Sequence, residues 1–296
     1  MPSHKNLVTV ACVNFKPAGA VKERALERIL DFTNQAGRKD ANIILFPELA
    51  LTSMPPDGLI PRFAETIPGP STEKIAKRAA QLNVYVIIGM LERDQNYTSR
   101  VYNAAAVIGP SGVLGSYRKT HPFHPFENYE RGRQFPLFET PYGPIGVGIC
   151  YDTYCFPEVC RQYAARGVRL YCNLTAVPCG LQCNDEADLY MTMLKARSIE
   201  NQLFIATAGL VGKETIEQLG DVTFLGLSVI VGPKDGYSSC QVYAGPGDQV
   251  KEEIVIAQLD LSVKSSSPLV ANILSHRHPE IYVDFAGAPA SKQGKD

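Results

Sequence analysis

A chain of 296 residues with 45% hydrophobic side chains is long enough for one large domain or two small ones and large enough to bury a deep core. Its 29 basic and 30 acidic residues lie without long runs of either sign, which gives no support for a nucleic-acid or membrane-surface partner. No apolar stretch is long enough to span a bilayer and the opening MPSHKNLVTV lacks a signal-peptide layout, so the chain reads as soluble and cytoplasmic, with a small molecule or another copy of itself as the expected partner.

The first element is an apolar, β-branched run from Leu7 to Phe15 without clean alternation, the pattern of a strand buried on both faces. From Val21 to Gly37 the apolar positions Val21, Ala25, Ile29 and Leu30 recur at helical spacing among charges. A second buried strand, Ile43 to Phe46, runs into Pro47 and Glu48. A lone glutamate there reads first as a solvated loop residue, and otherwise as a carboxylate held at the rim of a sheet. Thr52 to Pro70 is rich in proline and glycine and reads as a loop able to close a pocket. Ser71 to Asn83 reads as a helix capped by Ser71 or Thr72. Strands follow at Val84 to Leu91, Val101 to Ile108 and Val113 to Tyr117, with short turns between them.

Arg118 to Glu127 forms an aromatic, proline-studded loop with two histidines, and Lys119, Glu127 and Glu130 in or beside it each have an ordinary surface reading. The glycine-rich strand Pro144 to Cys150 then ends abruptly on a thiol, followed by Tyr151 and Asp152. A core cysteine is the bland explanation; a nucleophile held at the rim of a sheet is the sharper one. A helix with proline in its first turn is expected over Pro157 to Gly167, a strand over Arg169 to Asn173, and a helix over Asp188 to Asn201. Further strands are expected at Leu203 to Ala208, Leu227 to Val231, Ser239 to Tyr243 and Ile254 to Leu259. Ser262 onward reads as irregular.

The eight cysteines are dilute, follow no secretion signal and mostly lie in apolar contexts, so reduced thiols are expected. Cys179 with Cys183, and His121 with His124, are two half-sites without mates, and no CxxC occurs. No metal and no cofactor are expected. Strand ends instead deliver a glutamate, a lysine, a second glutamate and Cys150, a workable set for acyl transfer through a thioester. The glycines Gly143, Gly146 and Gly148 do not follow the dinucleotide-binding spacing, and GLSVI at 226–230 lacks the second glycine of a serine nucleophile elbow.

FPEL at 46–49, YRKTHP at 117–122 and GICYD at 148–152 followed by FPE at 156–158 resemble, in order, the three signatures of the carbon-nitrogen hydrolase, or nitrilase-like, superfamily. ARSIEN at 196–201, GLSVIVGP at 226–233 and RHPEIY at 277–282 extend the resemblance over nearly the whole chain. It implies an α/β fold, a four-layer α-β-β-α sandwich, as a single domain over 1–285, and a homodimer packed helix layer to helix layer or a higher homo-oligomer; the small-residue, polar stretch 286–296 reads as a flexible tail. It also implies Glu48 as general base and acid, Lys119 as oxyanion stabiliser and Cys150 as nucleophile. The loop KTHPFHPFENYERG looks like that of aliphatic amidases, which places Glu127, rather than Glu130, as a fourth catalytic residue. The Tyr151 N–H is expected at the oxyanion and Tyr154 at the substrate.

Within that resemblance the expected reaction is hydrolysis of a small amide. Carbamoyl compounds and nitriles are the alternatives, and a catalytically silent scaffold is the non-enzyme alternative. True nitrilases carry tryptophan and glutamate directly after the cysteine, whereas Tyr151 and Asp152 stand here and the chain has no tryptophan. Many relatives acting on carboxylate-bearing substrates place an arginine shortly after the nucleophile. Thr153 and Tyr154 stand in its place, leaving Arg62, Arg131 or Arg133 to compensate. Gly209 replaces an asparagine common in relatives and is expected to alter the pocket wall.

Overall fold

The computed structural model describes residues 4–19, 21–179, 183–217, 219–234 and 240–286. The first half runs β1 (Leu7–Asn14), α1 (Lys22–Gly37), β2 (Ile43–Leu45), α2 (Ile60–Phe63), α3 (Pro70–Leu82), β3 (Tyr85–Arg93), β4 (Val101–Gly109) and β5 (Gly112–Arg118). Then come β6 (Ile145–Ile149), α4 (Tyr151–Cys155), α5 (Pro157–Ala164), β7 (Leu170–Thr175), β8 (Pro178–Cys179) and α6 (Cys183–Asn201). The chain continues through β9 (Phe204–Gly209), β10 (Val211–Ile216), β11 (Gly220–Leu225), β12 (Val229–Gly232), β13 (Gln241–Ala244), β14 (Glu253–Asp260) and α7 (Pro279–Ala286).

Two mixed sheets form the middle of the molecule, one in the order β14-β1-β2-β3-β4-β5 and the other β13-β12-β9-β7-β6. Strand periodicity explains how they stack. In β1 and β2, Val10, Cys12, Ile43 and Leu45 face one way and join Val147, Ile149, Leu170, Cys172 and Leu174 of the second sheet in an inter-sheet core. The alternate residues Ala11, Val13 and Ile44 face outward onto Ala25 and Ile29 of α1 and Ile75 and Ala79 of α3. On the far side Tyr171 and Ile205 pack with Val159 and Tyr163 of α5 and Leu194 of α6. The result is four layers, helices, sheet, sheet and helices, as the resemblance implied. Strands covered on both faces read as unbroken apolar runs, which is why β1, β2 and β3 lack alternation in the sequence.

The departures from expectation are local. Gly69, not Ser71 or Thr72, caps α3, because the Thr72 hydroxyl accepts the Gly69 N–H at 2.8 Å from within the first turn. Ser71 is drawn instead to Glu65, through both its backbone N–H and its hydroxyl at 2.8 Å. A third, three-stranded sheet in the order β10-β11-β8 stands where no strand was expected. VGKETI carries three polar residues in a row and GDVTFL alternates only over Asp221 to Phe224, so neither short run writes a clear strand pattern. α7 interrupts the expected irregular C-terminal stretch, and all but Ala286 of the expected tail 286–296 lies outside the described residues. Cys12, Cys150, Cys155, Cys160, Cys172 and Cys240 are free thiols as expected, whereas Cys179 of the short strand β8 is disulfide-bonded. Among the described residues no helix is long and apolar enough to cross a membrane, and no cluster of three or more potential ligands could hold a metal ion.

Gly89 ties the packing of the first sheet to the position of Glu48. A Cβ at Gly89 in β3 would come within 2.4 Å of the Pro47 carbonyl oxygen and 2.6 Å of the Glu48 Cα, so only glycine lets the turn after β2 lie against β3. Gly89→Ala is expected to cost about 1–3 kcal/mol, as overpacking of a filled core does, and to displace Glu48. Urea unfolding monitored by circular dichroism checks it; wild-type stability would show that the turn moves freely.

Candidate active site

Glu48 follows β2 in a tight turn in which Leu49 takes a φ of 53°. The turn points the carboxylate into the gap between the two sheets, where it is only 3% exposed. Its Oε1 accepts from Lys119 Nζ at 2.7 Å and from Asn103 Nδ2 at 2.8 Å, and its Oε2 accepts from the Ala176 N–H at 2.9 Å. Lys119, the first residue after β5, is 1% exposed and also meets Glu127 Oε2 at 2.9 Å. Glu127 in turn accepts from Asn103 Nδ2 at 2.8 Å and from the Phe123 N–H at 2.6 Å. One lysine thus lies between two buried carboxylates, and one asparagine bridges the same pair from β4.

Cys150 ends β6 and opens α4 with φ 50° and ψ −102°, a conformation that costs a non-glycine residue strain. The bend is fixed from both sides. The Cys150 N–H donates to the Leu174 carbonyl at 2.8 Å, while its own carbonyl accepts from the Thr153 and Tyr154 N–H groups. Arg197 of α6 holds the far end of α4 by donating to the Thr153 and Tyr154 carbonyls at 3.1 and 2.9 Å. Asp152, fully buried, then joins this bend to the lysine loop. It accepts from the Tyr117 hydroxyl at 2.8 Å and the His121 N–H at 2.9 Å, with His121 Nδ1 at 2.8 Å from the same carboxylate. His121 also stacks on Phe156, with ring centroids 3.6 Å apart. The His121 ring is held in this clamp, and His124 lines a different cleft, so neither histidine forms a dyad with Cys150.

The electrostatics separate the two glutamates. Burial pushes the Glu48 pKa up, with Lys119 opposing and Glu127 reinforcing, and the net direction is upward. For Glu127 burial also acts upward, but Lys119 and the Phe123 N–H outweigh it and hold the carboxyl below its ordinary value. Burial disfavours the Lys119 ammonium, yet the two carboxylates raise its pKa well above the ordinary lysine value. Burial and then the Glu48 charge push the Cys150 thiol up, against the pull of Lys119, the Thr175 hydroxyl and the Ala176 N–H. A resting thiol beside a carboxyl group that can exchange a proton, with a lysine that stays charged, is an arrangement for nucleophilic acyl chemistry.

Glu48, Lys119, Glu127 and Cys150 all border one cavity of about 390 Å³. Tyr151 and Tyr154 border it too, Tyr154 with its ring centroid 4.6 Å from that of Tyr190. Glu130 stands apart: its N–H donates to the Val101 carbonyl at 2.8 Å and its side chain borders two other clefts. Arg62, Arg131 and Arg133 likewise border other clefts, and none lines this cavity. Gly209 also stays out of its wall; a Cβ there would meet the Gly226 carbonyl oxygen at 1.9 Å, so the strand crossing itself requires glycine. Sequence reasoning passed over Asn103, whose one signal was a polar residue inside the apolar run VYNAAAVIG. It also passed over Ile216, Leu219 and Phe224, which reach the cavity from the unexpected hairpin β10–β11.

The carbon-nitrogen hydrolase family model matches residues 9–267, and the chain belongs to that family of enzymes, which hydrolyse carbon–nitrogen bonds other than peptide bonds. It is 31% identical to a probable nitrilase of Schizosaccharomyces pombe over 92% of this chain and 96% of that protein. An omega-amidase of Xenopus tropicalis is 30% identical over 88% of this chain and 92% of its own length. Among solved structures, an amidase from Nesterenkonia sp. superposes with a TM-score of 0.75 at 21% identity, covering 94% of this chain and 96% of that one. Saccharomyces cerevisiae Nit3 gives a TM-score of 0.74 at 21% identity, with 98% of each chain covered.

The opposed shifts of the two glutamates have a measurable sign. Because the Glu127 pKa lies below the ordinary 4.5, its ionisation contributes stability that is present above that pH and lost as the pH falls through its folded value. Glu48, shifted upward, acts in the opposite sense over its own range. Glu127→Gln is therefore expected to be less stable than wild type by about 3–5 kcal/mol near neutral pH, the cost of breaking a buried pair. The gap should shrink as the pH falls below the ordinary carboxylate value and through the lower folded one, where wild type loses the same charge. Urea unfolding across that range checks it, and a gap independent of pH would mean that Glu127 is not ionised in the folded protein.

Proposed function

We propose that this protein is an amidase that hydrolyses a small amide through a Cys150 thioester and releases ammonia or an amine. The observation that carries the reading is the single cavity bordered by Cys150, Glu48, Lys119 and Glu127, with the two carboxylates shifted in opposite directions. Glu48 takes the thiol proton as sulfur attacks the amide carbonyl carbon. The resulting oxyanion is held by the Lys119 ammonium and the Tyr151 N–H. An ammonium has three donors, so the two glutamates leave one N–H of Lys119 for the substrate.

As the carbonyl re-forms, the carbon–nitrogen bond breaks and Glu48 returns its proton to the departing nitrogen. Water then attacks the thioester with Glu48 as base, the carbon–sulfur bond breaks, and thiol and carboxylic acid are regenerated. Glu127, held ionised by Lys119 and the Phe123 N–H, keeps the lysine charged and orients substrate or water. Tyr151 and Asp152 after the nucleophile, in place of tryptophan and glutamate, favour amides over nitriles. The homodimer packed through the helix layers belongs to the same reading, and Leu189 of α6, 50% exposed, is a side chain it would cover.

Incubation with a panel of amides, carbamoyl compounds and nitriles, following ammonia and intact mass, tests the proposal. Amide turnover with an acyl adduct on Cys150 is expected, and Cys150→Ala should lose turnover by at least about 10⁴-fold. Glu48→Gln should lose roughly 10²–10⁴-fold. Glu127→Gln should lose on the order of 10²-fold, as misplaced catalytic groups do, while Glu130→Gln keeps wild-type rates. Undiminished turnover in Cys150→Ala ends the thioester reading.

A further inference from the structure

The acyl side of the cavity is built for one kind of group. Leu49, Met54, Tyr154, Tyr190, Ile216 and Phe224 present apolar or aromatic surface, contributed by the Glu48 turn, its following loop, α4, α6 and the β10–β11 hairpin. Among the described residues Lys119 is the single cation on the lining, and it already faces two carboxylates at 2.7 and 2.9 Å. Ionised Glu48 and Glu127 against one lysine leave a formal charge of −1 at the cavity floor, and protonation of Glu48 brings it only to zero. The neighbouring arginines are committed elsewhere: Arg118 pairs with Glu92 and Asp94, and Arg197 with the Thr153 and Tyr154 carbonyls and Glu200.

A substrate carboxylate entering this cavity would give up its water, find no unpaired cation, and stand near a floor that is neutral or negative. A hydrocarbon or aromatic group of the same shape gives up no hydrogen bonds and covers apolar wall. The volume, about 390 Å³, is within the range of roughly 300–1,000 Å³ that takes whole small ligands, so the site has room beyond an acetyl group.

We infer that the substrate is a neutral amide with an apolar, branched or aromatic acyl group, and that ω-amides bearing a terminal carboxylate are excluded. This rests on the amidase reading for its chemistry and separates the chain from its omega-amidase relatives in substrate. Tyr154 and the hairpin residues Ile216 and Phe224, all on the wall, set the preference.

Two compounds of matched shape isolate charge: 5-methylhexanamide, ending in an isopropyl group, and 5-amino-5-oxopentanoate, ending in a carboxylate. Binding is measured by titration calorimetry to Cys150→Ala, and to Cys150→Ser as a nearly isosteric second variant, so that the result does not depend on turnover. The neutral amide is expected to bind on the order of 100-fold or more tightly than the anion. Equal or tighter binding of the anion, or no binding of the neutral amide at millimolar concentration, overturns the inference. The amidase reading fails separately, if the neutral amide binds but the wild-type enzyme neither releases ammonia from it nor forms a Cys150 adduct.

Discussion

The Lys119 ammonium, buried between Glu48 and Glu127, is the constraint on which the rest of the site depends. Removing a charged amine from water costs several kcal/mol, and the cost is offset only if both carboxylates stand at hydrogen-bond distance and are themselves satisfied. Here they are, by Asn103 from β4, the Ala176 N–H just past β7 and the Phe123 N–H of the lysine loop. Those donors come from both sheets. The ion triad therefore requires the two sheets to be stacked in one register, and the apolar layer between them supplies that register.

The Cys150 thiol depends on a second tie across the same boundary. Asp152, two residues past Cys150, accepts from Tyr117 and His121, so the bend that opens α4 is anchored to the strand and loop that carry Lys119. The positive φ of Cys150 persists because the Leu174 carbonyl, the α4 N–H groups and Arg197 hold the backbone around it. Thiol and lysine are thereby fixed relative to each other by buried hydrogen bonds rather than by a mobile loop, which preserves the geometry that acyl transfer demands.

Polar chemistry is confined to the floor of the cavity and apolar surface to its walls. The walls are drawn largely from the parts of the chain between the strands of the two large sheets: the stretch after β2, the aromatic loop after β5 and the β10–β11 hairpin. On the proposed reading, this division lets one scaffold keep its reacting groups while the wall sets which acyl group reaches them.

Much of this was legible in the sequence. The strands buried on both faces and the helices α1, α3, α5 and α6 stood out by their own patterns, Glu48, Lys119 and Cys150 through the three short signatures that contain them, and Glu127 through the likeness of its loop to that of aliphatic amidases. Local chemistry accounts for the elements, since burial on both faces writes an unbroken apolar run and a turn after a strand writes its own glycines and prolines, while the site residues were assigned only by resemblance. Asn103, Asp152 as a clamp and the wall of Ile216, Leu219 and Phe224 were not legible, because each acts on residues far away along the chain and looks ordinary beside its neighbours. The sequence by itself determined, through its likeness to the family, the layered fold and a candidate set of Glu48, Lys119, Glu127 and Cys150. Only the tertiary structure decided that Asn103 bridges the two glutamates, which histidine is tied up away from the thiol, and that no arginine among the described residues reaches the cavity. Those outcomes depend on distances and desolvation between segments that meet only when the sheets are stacked.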